Sequence, residues 1–241
     1  MFLRAGGAIG GGGGGGGGGH FRSHLFRDAF DGTEGMSVGE GLAALGYYVI
    51  VYLLYAASII VSLLVAIIVR RRKKNARKET RRMMAEYDDF DGFWSYDYVQ
   101  NRINEVYFAV QNAWTDGDMK KVEEMLTEGL LNKYQKHLDA MKRDGDRNVM
   151  ENVRLIKAEP VYAKDFTHNE HDYLWARIDG VMSDYVINKD SGNILEGTKE
   201  ALPFTEYWKF TRRRDGNWVL AEIMQQEEFE KTHYYKSLSK L

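Results

Sequence analysis

The side chains able to do chemistry are few and poorly grouped. His168 and His171 stand three apart in a segment that also holds Asn169, Glu170 and Asp172. Two imidazoles can begin a metal site, but such a site needs a further protein ligand and an element that presents the set rigidly. Neither is evident in the sequence, so the pair reads as incidental. His20 and His24 are one helical turn apart, directly after a glycine run, and the same reasoning applies. The chain has no cysteine, which excludes disulfides and thiolate-held metals. Residues 10–19 are all glycine, but no Lys-Ser/Thr follows, so this is not a phosphate-binding loop. No Gly-x-Ser-x-Gly or His-Glu-x-x-His is present. Arg177 and Asp179 form the remaining pair of interest. An Asp beside an Arg can be a poised base, and an exposed ion pair explains the two equally well. The expectation is a protein with no catalytic, cofactor or metal site.

The strongest physical signal lies elsewhere. From Gly41 to Val69 no residue carries a charge, and Arg70-Arg71-Arg72-Lys73-Lys74 follows at once. About 20 apolar residues on a helix cross a bilayer, so residues 41–69 are read as a transmembrane helix. Ser58 and Ser62 are its only polar side chains apart from the tyrosine hydroxyls, and both can bond back to their own helix. Basic residues continue through Arg77 and Lys78, and residues 70–92 are assigned as a basic juxtamembrane stem. The preceding side has only Arg4, Arg22 and Arg27 against Asp28, Asp31, Glu34 and Glu40. Basic flanks stay in the cytoplasm, so the N-terminus is expected outside and the C-terminal domain inside, at the plasma or inner membrane. The collar Arg70, Arg71, Arg72, Lys73, Lys74, Arg77 and Lys78 can also hold anionic lipid, each charge worth about 1 kcal/mol near the surface. Fixing topology alone is an equally good account of it. Nucleic acid is not an expected partner except indirectly, through ribosomes: the basic run starts at the membrane boundary and lacks interleaved aromatics.

The net charge of −2 hides an asymmetry, since residues 83–241 carry 21 basic and 30 acidic side chains. An acidic domain hangs from a basic stem, which disfavours the domain as a binder of phosphate backbones. Residues 1–40, with their glycine run, are expected to be a flexible extracytoplasmic coil. The soluble domain is placed at 93–226 and a C-terminal tail at 227–241.

Within the domain the apolar period changes once. Val99, Ile103, Val106, Tyr107, Val110 and Trp114 recur at helical steps over about 95–115. Shorter helices are expected over 119–126 and 130–142, the last presenting Leu131, Tyr134, Leu138 and Met141. After Asp144-Gly145-Asp146 the period is two. Strands are expected over 149–163, 173–188, 204–214 and 218–226, with Asp215-Gly216 making a tight turn and 189–201 a loop or small hairpin. In the second strand Leu174, Ala176, Ile178, Gly180 and Met182 share one face, and Tyr173, Trp175, Arg177 and Asp179 the other. Helices first and strands afterwards make an α+β fold, with helices packed on an antiparallel sheet.

Two stretches carry a resemblance. The helical one is Ala113-Trp114, Asp118, Val122, Leu126-Thr127, Leu130 and Tyr134. The second is Phe204, Glu206, Trp208, Phe210 and Arg212 at alternate positions, then Asp215-Gly216-Asn217-Trp218-Val219-Leu220, Ile223 and Gln225. In these residues the chain resembles the Tim44-like family, named for the mitochondrial inner-membrane translocase subunit that tethers the import motor. The family also includes a mitochondrial ribosomal protein and bacterial membrane proteins with a Gly- or Ser-rich head and one span. The resemblance implies a nuclear-transport-factor-two-like cone, docking near a membrane surface and a scaffolding role in protein translocation, insertion or assembly, with unnamed protein partners and no catalytic residues. The chaperone-binding region of the mitochondrial protein has no counterpart in this sequence. A cone of this type can leave a pocket between sheet and long helix, and the candidate lining is Tyr107, Trp114, Trp175, Asp179, Tyr207 and Trp208. Aromatic residues at such spacing more often fill the core. A membrane-anchored small-molecule binder or enzyme using that pocket is the alternative reading, and a ribosome tether a third.

Overall fold

The computed structural model describes residues 38–238. The coil expected over 1–40, with His20 and His24, lies outside the described residues up to residue 37. Helix α1 runs from Val38 to Asp91, and the chain forms two units that divide within it, one ending at Lys74 and the other beginning at Asn75.

In the first unit the apolar side chains of α1 face outward, with Leu53, Leu54 and Tyr55 each about two-thirds exposed. Ser58 Oγ donates to the Tyr55 carbonyl at 2.7 Å and Ser62 Oγ to the Ser58 carbonyl at 2.8 Å. Both hydroxyls are thus satisfied within the helix, as a lipid environment requires. Among the described residues this is the one helix long and apolar enough to cross a membrane, and none of its apolar window is buried.

The second unit begins with the last turns of α1, which belong to the domain rather than to a free stem. Thr80 and Met84 are buried. Thr80 Oγ1 lies 2.9 Å from the Val161 carbonyl and 3.0 Å from that of Ala76, and Arg77 pairs with Glu159 at 2.8 Å. The expected boundary near 93 therefore falls too late, because the basic composition of 70–82 masks an inward stripe of Thr80, Met84 and the partly buried Tyr87. The helix ends at Gly92, whose φ of +71° is natural for glycine after a helix. Asp88 and Asp91 then accept the Trp94 and Phe93 amides, both at 3.0 Å.

Helix α2, Tyr96–Thr115, buries Val99, Ile103, Val106, Tyr107, Val110 and Trp114 on one stripe. The helix expected over 119–126 is instead a 3-10 segment, Met119–Met125, with Val122 outside helical geometry. Asp118 caps its start, but Leu126 is already extended, and the Thr127 amide bonds the Leu220 carbonyl at 2.9 Å. A segment this short, held between a turn and a strand contact, has too few residues for a stable α-helix. Helix α3, Glu128–Arg143, buries Leu130, Tyr134, Leu138 and Met141, so its inward face starts at Leu130 rather than Leu131.

Four strands follow as an antiparallel meander in the order β1-β2-β3-β4. They are β1 Asp146–Lys164, β2 Tyr173–Asn188, β3 Ile194–Arg212 and β4 Trp218–Gln225. Three irregularities in the β1–β2 register, one at Pro160, bend the long outer strand. The edge of β1 is covered: besides Thr80 on Val161, Gln100 Nε2 donates to the Ala158 carbonyl. The loop expected over 189–201 shrinks to 189–193, and β3 begins ten residues before Phe204. Its first half lacks alternating apolar residues and contains Gly197, so it does not read as a strand. Gly197 has φ +82°, and a Cβ there would lie 2.2 Å from the Asp184 carbonyl oxygen. Gly197→Ala is expected to destabilise the domain by about 2 kcal/mol or more, read as a lower melting temperature of the full chain.

The inner sheet face presents Leu174, Ala176, Ile178, Trp208 and Phe210 to α2. Trp94 from the α1–α2 turn meets Trp218 at 4.6 Å between ring centroids. Helix α4, Gln226–Leu238, follows β4 directly. Its Phe229 lies flat on Tyr207, centroids 3.8 Å apart, and edge-on to Trp175 at 5.0 Å.

Candidate functional site

The six candidate pocket residues fall on two sides of the sheet. Strand residues alternate faces, so the even-numbered Trp208 points inward while Trp175, Asp179 and Tyr207 point outward. Tyr107, Trp114 and Trp208 are buried between α2 and the inner face. Tyr107 and Trp208 meet at 5.5 Å. Trp114 packs against Tyr134 at 5.4 Å and stacks on His137 at 5.7 Å. The indole nitrogens are used as well: Trp114 Nε1 donates to Asn148 Oδ1 and Trp208 Nε1 to Glu206 Oε2, each at 3.0 Å. These rings fill space, and one pocket lined by all six is not formed.

On the outer face Asp179 is engaged through Oδ1. Arg177 approaches it at 2.9 Å, and the Thr205 hydroxyl donates to it at 2.7 Å. Tyr207 is covered by Phe229, and burial pushes its phenol up.

A cleft of about 140 Å³ lies where α2 and α3 end against the start of β1. Its walls are Trp114, Leu138, Met141, Lys142, Arg147 and Asn148. Of the expected lining it includes Trp114 alone. It is well below the roughly 300–1,000 Å³ of a site that encloses a small-molecule ligand.

Of the basic collar, Arg70, Arg71, Lys74 and Lys78 are exposed on α1; Arg72 and Lys73 belong to the same helix. Arg77 differs, because it pairs with Glu159, a buried carboxylate that Lys157 also reaches at 2.7 Å. Arg77 thus has a role within the domain that a charge count does not show.

The His168 and His171 rings stand roughly perpendicular, centroids 6.2 Å apart, and Glu170 between them pairs with Arg214 at 2.7 Å. No group of three metal-ligating side chains occurs among the described residues.

Two buried polar centres were not among the expected residues. Arg212 Nη1 reaches the carboxylates of both Asp172, at 3.1 Å, and Asp91, with its guanidinium 4.7 Å from the centre of the Phe93 ring. Asp172 also accepts the Phe166 amide at 2.8 Å. Burial pushes the Asp172 carboxyl up, against the opposing pull of that amide and of Arg212. The cluster ties the end of α1, the β1–β2 connection and the end of β3 together. The second centre is Glu206, buried and accepting from Trp208 Nε1 and, at 3.1 Å, from Gln225 Nε2. Burial, and then the charge of Glu206, push the neighbouring Tyr134 phenol up. Parity carries the signal for both: Phe204, Glu206, Trp208, Phe210 and Arg212 share one face, so a Glu and an Arg stand at inward positions.

The sequence model of the Tim44-like domain matches residues 79–225, from the buried end of α1 to the last residue of β4. No curated protein matches the chain. Similar solved structures include the crystal structure of the intermembrane space region of the chloroplast protein ARC6, at 10% identity and a TM-score of 0.40 over 54% of this chain and 95% of that one. An Ntf2 like protein involved in plasmid conjugation has 10% identity and a TM-score of 0.28 over 45% of this chain and 38% of its own length. With the signature residues, the meander sheet and the family match in agreement over the same segment, the chain belongs to the Tim44-like domain family.

Proposed function

We propose that this protein is a non-enzymatic docking or scaffold protein held in the plasma or inner membrane by residues 41–69, its Tim44-like domain on the cytoplasmic side. Its place is in protein translocation, insertion or membrane-protein assembly. The carrying observation is the order along the chain: an outward-facing apolar helix, a basic collar, then a Tim44-like domain. The apolar length supports a single crossing, the collar supports an N-out orientation, and the family supports the scaffold role. The enzyme reading finds no support in the geometry, since Asp179 is paired and the inner aromatic residues pack against one another.

The lack of cysteine makes orientation directly testable. Ser23→Cys and Ser191→Cys, made singly, are exposed to a membrane-impermeant maleimide in intact cells. The Ser23→Cys chain is expected to label at once, and the Ser191→Cys chain only after permeabilisation. Labelling of the Ser191→Cys chain from outside would place the domain on the wrong side and remove the cytoplasmic docking role.

A further inference from the structure

The outer face of the sheet carries a strip of aromatic rings that is covered at one end and bare at the other. The covered end is Trp175 and Tyr207, only 4% and 6% exposed, beneath Phe229 of α4. The bare end is Tyr162, Phe166 and Tyr173. Tyr162 stacks on Tyr173 at 5.8 Å, and Phe166 meets Tyr173 at 6.1 Å. Tyr162 and Phe166 remain 42% and 41% exposed. The two ends are continuous, because Tyr173 and Trp175 are alternate residues of β2 and Tyr162 is paired with Trp175 across β1 and β2.

The bare end is also cationic. Lys209 Nζ stands 5.0 Å from the centre of the Tyr173 ring and Lys164 Nζ 5.5 Å from that of Phe166. Among the described residues neither lysine has a carboxylate within ion-pair distance. Of the acids beside them, Glu170 holds Arg214, and Glu222, which stands opposite Lys209 across β3 and β4, lies beyond ion-pair distance of it. Three clustered rings, two of them exposed, beside two lysines outside any ion pair are unusual on a domain whose charge is otherwise acidic, and exposed aromatic clusters mark contact surfaces.

The chain itself shows what seats on this strip. Helix α4 opens Gln226-Glu227-Glu228-Phe229-Glu230, and its phenylalanine, flanked by three glutamates, occupies the covered end. We propose that the bare end, Tyr162, Phe166 and Tyr173 with Lys164 and Lys209, is the docking site for a helical segment of a protein partner built like the start of α4: an aromatic anchor flanked by carboxylates. The ring enters the aromatic cluster as Phe229 does next door, and the carboxylates meet Lys164 and Lys209. This inference rests on the docking role proposed above and assigns it a surface and a partner chemistry.

The test uses the detergent-solubilised full chain and a fluorescein-labelled peptide copying residues 224–235. Saturable binding is expected, weakened about tenfold or more in the peptide carrying Phe229→Ser and in the Lys164→Glu/Lys209→Glu protein, and weakened by salt. Both lysines are surface residues, and an unchanged melting temperature establishes that the variant is folded. Tyr207→Ser serves as the second variant. Binding that survives the lysine reversal but is lost in Tyr207→Ser would mean that the peptide only displaces α4, and would overturn the proposal. So would no saturable binding, a lysine-dependent dimer of the protein alone, or lysine-dependent binding to vesicles in place of the peptide. Any of these leaves the docking role itself open to in-cell cross-linking from Phe108 and Leu195, which lie on other surfaces.

Discussion

Arg212→Leu is expected to destabilise the domain by about 3–5 kcal/mol, the cost typical of breaking a buried ion pair from one side. That is a large share of the roughly 5–15 kcal/mol that holds a domain together. Asp172 is fully buried, and without Arg212 its carboxylate keeps the Phe166 amide, at 2.8 Å, but no cation. Asp91 loses its tie to β3 at the same time. The loss should depend on pH. Burial already holds the Asp172 pKa above its ordinary value, and removing the guanidinium raises it further. A carboxyl whose folded pKa exceeds its unfolded one binds more protons folded than unfolded between the two values. Stability is then greatest below the unfolded pKa and declines as pH rises through the folded one. The deficit of Arg212→Leu should accordingly be larger at neutral pH than near pH 4, as measured by thermal melting of the full chain in detergent. A constant deficit would mean that Asp172 is not the group left unpaired. Arg212→Lys keeps the charge but not the flat guanidinium that lies 4.7 Å from the centre of the Phe93 ring, and should fall between wild type and Arg212→Leu.

Replacing Arg70, Arg71, Arg72, Lys73 and Lys74 with Gln is expected to change the orientation of a large fraction of molecules. Removing five of the nine basic residues in 70–82 leaves Arg77, Lys78, Arg81 and Arg82, of which Arg77 is engaged with Glu159. The positive bias that retains the flank in the cytoplasm is thereby cut roughly in half. With Ser191→Cys as the reporter, labelling from outside should rise from background to a substantial share of the total. If it stays at background, the folding of the domain or the remaining charges set the orientation without the collar.

Periodicity made the central elements legible. Helix α2 shows its buried stripe at every third or fourth residue, and β2 alternates from Ala176 to Met182, because each packs one face on the core and leaves the other wetter. Asp215-Gly216 was legible for a different reason: a turn there needs positive φ, and Gly216 supplies +88°. The exceptions lie where tertiary contacts override local pattern. The first half of β3 is polar and contains Gly197, yet pairing with β2 from Val186 to Met182 makes it a strand. The Met119–Met125 segment has helix-forming residues, but Leu126 is drawn to Leu220. The end of α1 carries so many charges that Thr80 and Met84 pass unnoticed, although they seat the helix against β1 and the core. For the candidate site, residue type alone points to the six pocket residues. Their faces were readable from parity, which places Trp175, Asp179 and Tyr207 opposite Trp208. The same parity marks Glu206 and Arg212 as inward. What parity cannot supply is the partner on another element, since Asp91 and Asp172 lie 121 and 40 residues from Arg212 in sequence.

The docking account is tested most directly by cross-linking in living cells. A photoreactive amino acid is placed at Phe108 on α2 and at Leu195 on β3, both exposed and away from the aromatic strip, in the otherwise unaltered full chain. Captured proteins are identified by mass spectrometry, with a chain that ends at residue 92 and carries the photoreactive amino acid at Lys74 as the control. The account predicts reproducible, domain-dependent capture of translocation, insertion or assembly components, or of nascent membrane proteins. Capture limited to abundant bystanders of the lipid surface, equal with and without the domain, would contradict it.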